Sequence, residues 1–183
     1  MLVQLRSRAE ETAAPRFQSV PVIRPARIAD MAQVAPLING YAARGLMLPK
    51  TEDQLYRTFR EFVLAVDENE RVVGSAGLRI YSPELAELCG LAVDARAHGR
   101  GVGRALVEAI VEQAADYGIR TVFALTLEEG FFHRMGFRTA SKEQFPQKIA
   151  ADCNGCAKRY ACPEITVTRL IGPHLEEEDI ADA

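Results

Sequence analysis

The stretch "LAVDARAHGRGVGRAL", Leu91–Leu106, runs from an apolar segment into a turn carrying Gly99, Gly101 and Gly103, and then into residues that repeat at helical spacing. A glycine-rich turn feeding a helix lets the backbone approach an anion: free N–H groups point at it, and the helix start adds about half a positive charge. Arg100 and Arg104 stand ready to neutralise such an anion. The nucleoside-triphosphate loop requires Lys and then Ser or Thr at the helix start, whereas Gly103 is followed by Arg104 and Ala105. The dinucleotide fingerprint spaces its glycines G-x-G-x-x-G after the first strand of a fold, and this G-x-G-x-G loop follows several strands. What remains is a phosphate cradle of another kind, or an ordinary strand-to-helix turn with surface arginines.

Outward from the loop, Leu106, Val107, Ile110, Val111 and Ala114 form an apolar stripe that Gly118 ends. Upstream, "FVLAVD", "RVVGSAGLRIY" and "AELCGLAV" read as strands, the first two joined as a hairpin. Near the start, "VPVIRPA" is a short strand. Asp30 is placed to cap a helix carrying Met31, Val34, Leu37, Ile38 and Tyr41 and stopped by Gly45. Thr51 and Gln54 have capping-box spacing. Downstream come a strand at "RTVFALT", a short helix at "GFFHRMGF" ending by Gly136, and a last strand at "EITVTRL". The predicted class is α/β, a single domain with a central mixed, mostly antiparallel sheet of six to seven strands flanked by helices. Residues 1–20 are expected to be a flexible leader, 21–172 the folded domain, and 173–183 a disordered acidic tail.

The chain has 183 residues, is 48% hydrophobic and carries a net charge of −3. One core is affordable at that length. The charge lacks the basic field that nucleic-acid binding requires, so no nucleic-acid partner is expected. No apolar run approaches the roughly 20 residues of a membrane span, and "MLVQLRSRAEETAAPRFQSV" has no signal-peptide core, so neither membrane nor export is expected and the predicted location is cytoplasmic.

"LAVDARAHGRGVGRAL" resembles motif A of the GNAT acetyltransferase superfamily, whose Q/R-x-x-G-x-G/A loop grips the pyrophosphate of acetyl-coenzyme A; Gly101 and Gly103 match, and His98 stands where the family has Gln or Arg. "FFHRMGF" resembles motif B. "RPARIADMAQVAPLINGYAARGLMLPK", "AELCGLAV", "VFALT" and "FPQKIAADCNGCAKRYACPE" narrow the resemblance to amino-acid N-acetyltransferases of the N-acetylglutamate synthase type, here in a short form without an amino-acid kinase domain.

The resemblance implies acetyl-coenzyme A as co-substrate, held by Leu91, Ala92 and Val93 on the strand and by His98, Gly99, Arg100, Gly101, Val102, Gly103 and Arg104 in the loop. It implies Glu87 as general base, a bulge near Gly90–Val93, and the Leu91 N–H as oxyanion donor. Thr126 is a candidate for orienting water or substrate. A Tyr often serves the family as general acid in motif B, but the aligned residue is Phe132, which has no proton to give; His133 beside it reads as a surface residue. An amino-acid acceptor presents carboxylates, so Leu48 and Lys50 in "GLMLPK", Lys148 in "FPQK" and, from its place on the preceding strand, Arg79 are the expected acceptor pocket.

Glutamate is the expected acceptor, as in the opening step of arginine biosynthesis, with glutamine and aspartate as alternatives. A non-catalytic acyl-coenzyme A binding module and an acetyltransferase acting on other amines stay open, although a binder has no use for Glu87 and the expected pocket is cationic. Relatives pair through sheet edges or helices, so a homodimer is an expectation. Cys153, Cys156 and Cys162, spaced C-x2-C-x5-C, leave zinc, free thiols and a disulfide open; no metal is assigned to the chemistry.

Overall fold

In the computed structural model, residues 20–154, 156 and 158–172 are described; the expected leader, apart from Val20, and the expected acidic tail lie outside them. The strands are β1 (Val22–Pro25), β2 (Phe62–Val66), β3 (Val72–Ile80), β4 (Leu85–Val93), β5 (Thr121–Thr126), β6 (Arg138–Ala140) and β7 (Ile165–Leu170). The helices are α1 (Met31–Ala42), α2 (Glu52–Thr58), α3 (Val102–Asp116), α4 (Glu129–His133) and the single turn α5 (Pro146–Lys148), which continues into a π-type turn, Ile149–Cys153. One sheet takes the order β1-β2-β3-β4-β5-β7-β6, in which β4 and β5 run parallel and the other neighbours antiparallel. The α/β class with a mixed sheet is as expected. β6 is an addition: three residues that show no pattern until β7 offers them a ladder.

Two cores sandwich the sheet. The stripe Leu106, Val107, Ile110, Val111 and Ala114 of α3 is buried on one face with Ala86 and Leu88 of β4. Met31, Val34 and Ile38 of α1 and Leu55 of α2 are buried on the other, with Phe62, Leu64 and Ala92. Ala86 and Leu88 thus face α3 while Ala92, of the same parity, faces α1. The register explains the switch: Gly77 pairs with Cys89 and Ser75 with Ala92, so two residues of β4, Gly90 and Leu91, stand opposite one of β3. Such a bulge reverses the side-chain alternation, and Gly90 adopts φ +60, which glycine accepts at little cost. The Ser75 hydroxyl donates to the Gly90 carbonyl at 3.0 Å and holds the bulge.

Local signals mostly act as their residues suggest. Thr51 and Gln54 make the reciprocal capping box before α2. Gly118 and Gly136, with φ +75 and +81, follow α3 and α4. Asp30 differs from expectation. Its carboxylate does not cap α1; it accepts from the Arg27 N–H at 2.7 Å and from the Arg24 guanidinium at 2.7 and 3.0 Å, closing the turn ahead of the helix.

Candidate active site

β4 and β5 pair at three positions, Leu85 with Thr121, Ala86 with Val122 and Glu87 with Phe123. Beyond Glu87 the strands part, so the far half of β4, with Leu91, Ala92 and Val93, keeps β3 on one side and has no strand on the other among the described residues. The bulge lies within this free edge. A strand edge of unpaired N–H and C=O groups is a template for any extended amide-bearing chain.

At the end of that edge Asp94 closes a turn, and the loop His98–Gly101 leads into α3 with Gly99 and Gly101 at φ +73 and +79. The first main-chain bond of α3 is from the Ala105 N–H to the Gly101 carbonyl, so the N–H groups of Val102, Gly103 and Arg104 precede the helix's own ladder. A Cβ on Gly101 would meet open space, while Gly103 lies under the Phe131 ring. Among the loop side chains, Arg104 pairs with Glu108 at 2.9 Å on the surface, and Arg100 is exposed. His98 turns back: its Nε2–H is 2.9 Å from the Val93 carbonyl and 3.0 Å from the Tyr41 hydroxyl, which also donates to Val93. It therefore braces the strand end.

Where β4 and β5 separate, Glu87 is buried, 3% exposed, on the face that carries α1 and α2. Its Oε2 accepts from the Tyr81 hydroxyl at 2.9 Å and its Oε1 lies 2.7 Å from the Lys148 ammonium. Arg79 stands directly across from Glu87 in the ladder. Lys148 arrives because Phe145 stacks on Phe123 of β5 at 4.2 Å between centroids and Pro146 starts α5 there. Asp152 then bridges the two cations, 2.6 Å from Lys148 and 2.9 Å from Arg79, and Glu61 approaches Arg79 at 3.7 Å. Lys50 is anchored by its main chain to Asn39, and its charge reaches Glu61, Cys89 and Asp152.

The electrostatics follow from burial and pairing. Burial works against the Lys148 ammonium, but Glu87 and Asp152 outweigh it and raise its pKa. Asp152 is held below the ordinary carboxylate value despite partial burial, because Lys148 and Arg79 face it. Glu61 is pushed up, burial outweighing Arg79 and Lys50. Tyr81 is raised by burial and by Glu87, so it stays a donor, and burial lifts the Cys89 thiol to about 12.

Of the residues singled out in the sequence, Glu87, Arg79 and Lys148 lie together, and Lys50 is within electrostatic reach of the same cluster. Leu48 is more than half exposed on the loop before Lys50. Thr126 ends β5 and uses its hydroxyl to accept from the Glu128 N–H at 2.9 Å, opening the turn to α4. Phe132 is buried against Phe131 and Phe137, so Phe131 is the aromatic ring over the loop, and neither carries a dissociable proton. Sequence reading missed Tyr81, Glu61 and the bridging of Asp152; the i,i+4 spacing from Lys148 to Asp152 was an available signal. Among the described residues no group of three or more His, Cys, Asp or Glu is arranged to hold a metal ion.

A sheet that opens beside a bulge, with a glycine loop at the start of α3, sets a free main-chain edge next to an anion cradle. The Acetyltransferase (GNAT) family model matches residues 35–137, and the chain belongs to that family. It is 39% identical over 149 residues to an uncharacterized N-acetyltransferase of Chlorobaculum tepidum, covering 81% of this chain and 96% of the relative. It is 36% identical over 119 residues to the amino-acid acetyltransferase of Mycobacterium tuberculosis, 64% of this chain and 68% of the relative. Among solved structures, N-acetylglutamate synthase from Neisseria gonorrhoeae, complexed with coenzyme A and N-acetyl-glutamate, superposes with a TM-score of 0.76 at 25% identity, covering 85% of this chain and 36% of that one. The chain is therefore an acetyltransferase with acetyl-coenzyme A as co-substrate, similar to short enzymes of the N-acetylglutamate synthase type. No helix among the described residues is long and apolar enough to cross a membrane.

Proposed function

We propose that the chain transfers acetyl from acetyl-coenzyme A to the α-amino group of a small amino acid, with glutamate as the leading acceptor. The observation that carries this reading is the buried Glu87, held by Tyr81 and Lys148 at the point where β4 and β5 part. In the proposed reaction the thioester lies along the free edge of β4, its pantetheine amides pairing as an added strand would. The loop N–H groups of Gly101, Val102 and Gly103 seat the diphosphate, and the Leu91 N–H at the bulge receives the developing oxyanion. The acceptor ammonium loses a proton to Glu87 directly or through water, the amine attacks the acetyl carbon, and as the C–S bond breaks the proton shed by the attacking nitrogen passes to the sulfur, releasing coenzyme A as its thiol.

Lys50, Arg79 and Lys148 orient the acceptor carboxylate. Glutamine is a second reading with its own support. Arg79 and Lys148 already face Glu61, Asp152 and Glu87, three carboxylates, so the pocket's positive charge is largely spent within the protein and an acceptor with one carboxylate is accommodated more easily than one with two. Arginine biosynthesis and a cytoplasmic location accompany the glutamate reading.

The test is release of coenzyme A thiol from acetyl-coenzyme A across a panel of free amino acids, with Glu87→Gln alongside. Turnover with glutamate or glutamine, reduced about 10²–10⁴-fold in kcat by the substitution, supports the proposal. Binding of acetyl-coenzyme A with no amino acid stimulating thiol release overturns it in favour of a binding module.

A further inference from the structure

The cysteine segment has no part in the chemistry above, yet it is seated against the acceptor pocket. Asp152, which bridges Arg79 and Lys148, immediately precedes Cys153 in the π-type turn. Further along, the Lys158 ammonium donates to the Gly45 carbonyl at 2.9 Å, tying the segment to the loop that carries Leu48 and Lys50. A third tie is Lys142. Its ammonium donates to Cys162 Sγ at 3.5 Å and is also coupled electrostatically to the Cys153 thiol, so one cation acts on two sulfurs that are nine positions apart in the chain. Both thiols are free and partly accessible. Cys156 is placed differently, its sulfur accepting from the Lys158 N–H at 3.4 Å.

We propose that Cys153 and Cys162 are a reversible dithiol–disulfide pair beside Lys142, whose oxidation by a hydroperoxide joins these two positions and alters the acceptor pocket through Asp152. The thiolate is the nucleophile in such chemistry, and the ammonium supplies a countercharge where it forms. One sulfur attacks the peroxide, the O–O bond breaks, and the departing hydroxide takes a proton to leave as water and a sulfenic acid. The second sulfur attacks that sulfenic sulfur, the S–O bond breaks, and hydroxide leaves as water with the remaining thiol proton. Two thiols and one peroxide become one disulfide and two waters. The bond holds the two Cβ atoms within about 3.5–4.5 Å of each other, which constrains Cys153 and, next to it in the chain, Asp152.

The test begins with the full chain, reduced and desalted, then exposed to stoichiometric hydrogen peroxide. The expected result is a fall from four titratable thiols to two, a proteolytic fragment that joins Cys153 to Cys162 under non-reducing conditions, and full recovery with dithiothreitol. Cys153→Ser and Cys162→Ser each abolish the cross-link, and Cys156→Ser leaves it intact. A linkage through Cys156 or Cys89, oxidation of a single thiol to sulfinic acid without a cross-link, or one equivalent of zinc retained by the purified chain overturns the proposal. The effect on the pocket rests on the amino-acid acceptor reading. There, oxidation is expected to change the acceptor KM several-fold and leave the acetyl-coenzyme A KM unchanged, a response lost in Cys162→Ser. A cross-link without that change refutes the coupling, and since the thiol readouts need no turnover, failure of the acceptor reading is seen separately.

Discussion

Replacing Lys148 by methionine tests whether the buried ion network is as closed as its geometry implies. The ammonium lies 2.7 Å from Glu87 and 2.6 Å from Asp152. At an effective dielectric of about 20, unit charges at such separations attract by about 6 kcal/mol, most of which is offset by taking the ions out of water. Removing one partner leaves its counter-charge buried and costs about 3–5 kcal/mol; Arg79 still holds Asp152, which places the expected loss near the lower figure. With a urea dependence of about 2 kcal/mol per molar, the unfolding midpoint falls by about 1.5 M. Glu87→Gln in the same background restores part of the loss, giving a coupling of about 2 kcal/mol in a double-mutant cycle.

The pH profile carries the same signature. A raised lysine stabilises fully below its ordinary 10.5 and loses the contribution as pH climbs through the raised value, while a lowered aspartate stabilises above its ordinary 3.8 and loses the contribution as pH falls through the lowered value. Wild-type stability from this pair is therefore flat between those limits, and Lys148→Met moves the acid edge upward. A single-variant cost below about 1 kcal/mol, with additive behaviour in the cycle, refutes the reasoning.

Two further substitutions probe the frame. Gly90→Ala forces a Cβ to 3.0 Å from the Phe62 ring at φ +60; it is expected to lower stability by about 1–2 kcal/mol and raise the acetyl-coenzyme A KM, measured by urea melting and steady-state kinetics, while an unchanged KM detaches the bulge from cofactor binding. Asp30→Asn weakens the pair with Arg24 and is expected to cost about 1–3 kcal/mol near neutrality. Because the Arg24 hydrogen bond holds Asp30 below the ordinary carboxylate value, that cost shrinks as pH falls through the depressed value, which thermal melts at stepped pH would follow.

Much of the fold could be read locally. The glycine loop, the stripe of α3 and the Thr51–Gln54 box are short-range signals, and each forms the turn, the buried helix face or the cap at the expected place. β6 was hidden because "RTA" has no periodicity, and the insertion of β7 between β5 and β6 is a choice of partners that no local pattern encodes. The site divides in the same way. Glu87 and Lys148 were visible through motif resemblance, but the meeting of Arg79 with Glu61 and Asp152 joins residues far apart in the chain, and only the folded sheet brings them together. The expectation of a cationic pocket failed to count those carboxylates for that reason.

The parting of β4 from β5 has a consequence for how the molecule exchanges hydrogen with solvent. Amides of the outer half of β4 that point away from β3 take up deuterium readily when nothing lies alongside, whereas those bonded to β3 are shielded by the ladder. In the proposed binding mode acetyl-coenzyme A lies along that edge, slows their uptake and, at a hundredfold excess over its dissociation constant, adds about 2.7 kcal/mol to the stability of the whole chain. Isotope labelling of Leu88–Val93 therefore tests that binding mode directly, with no turnover required.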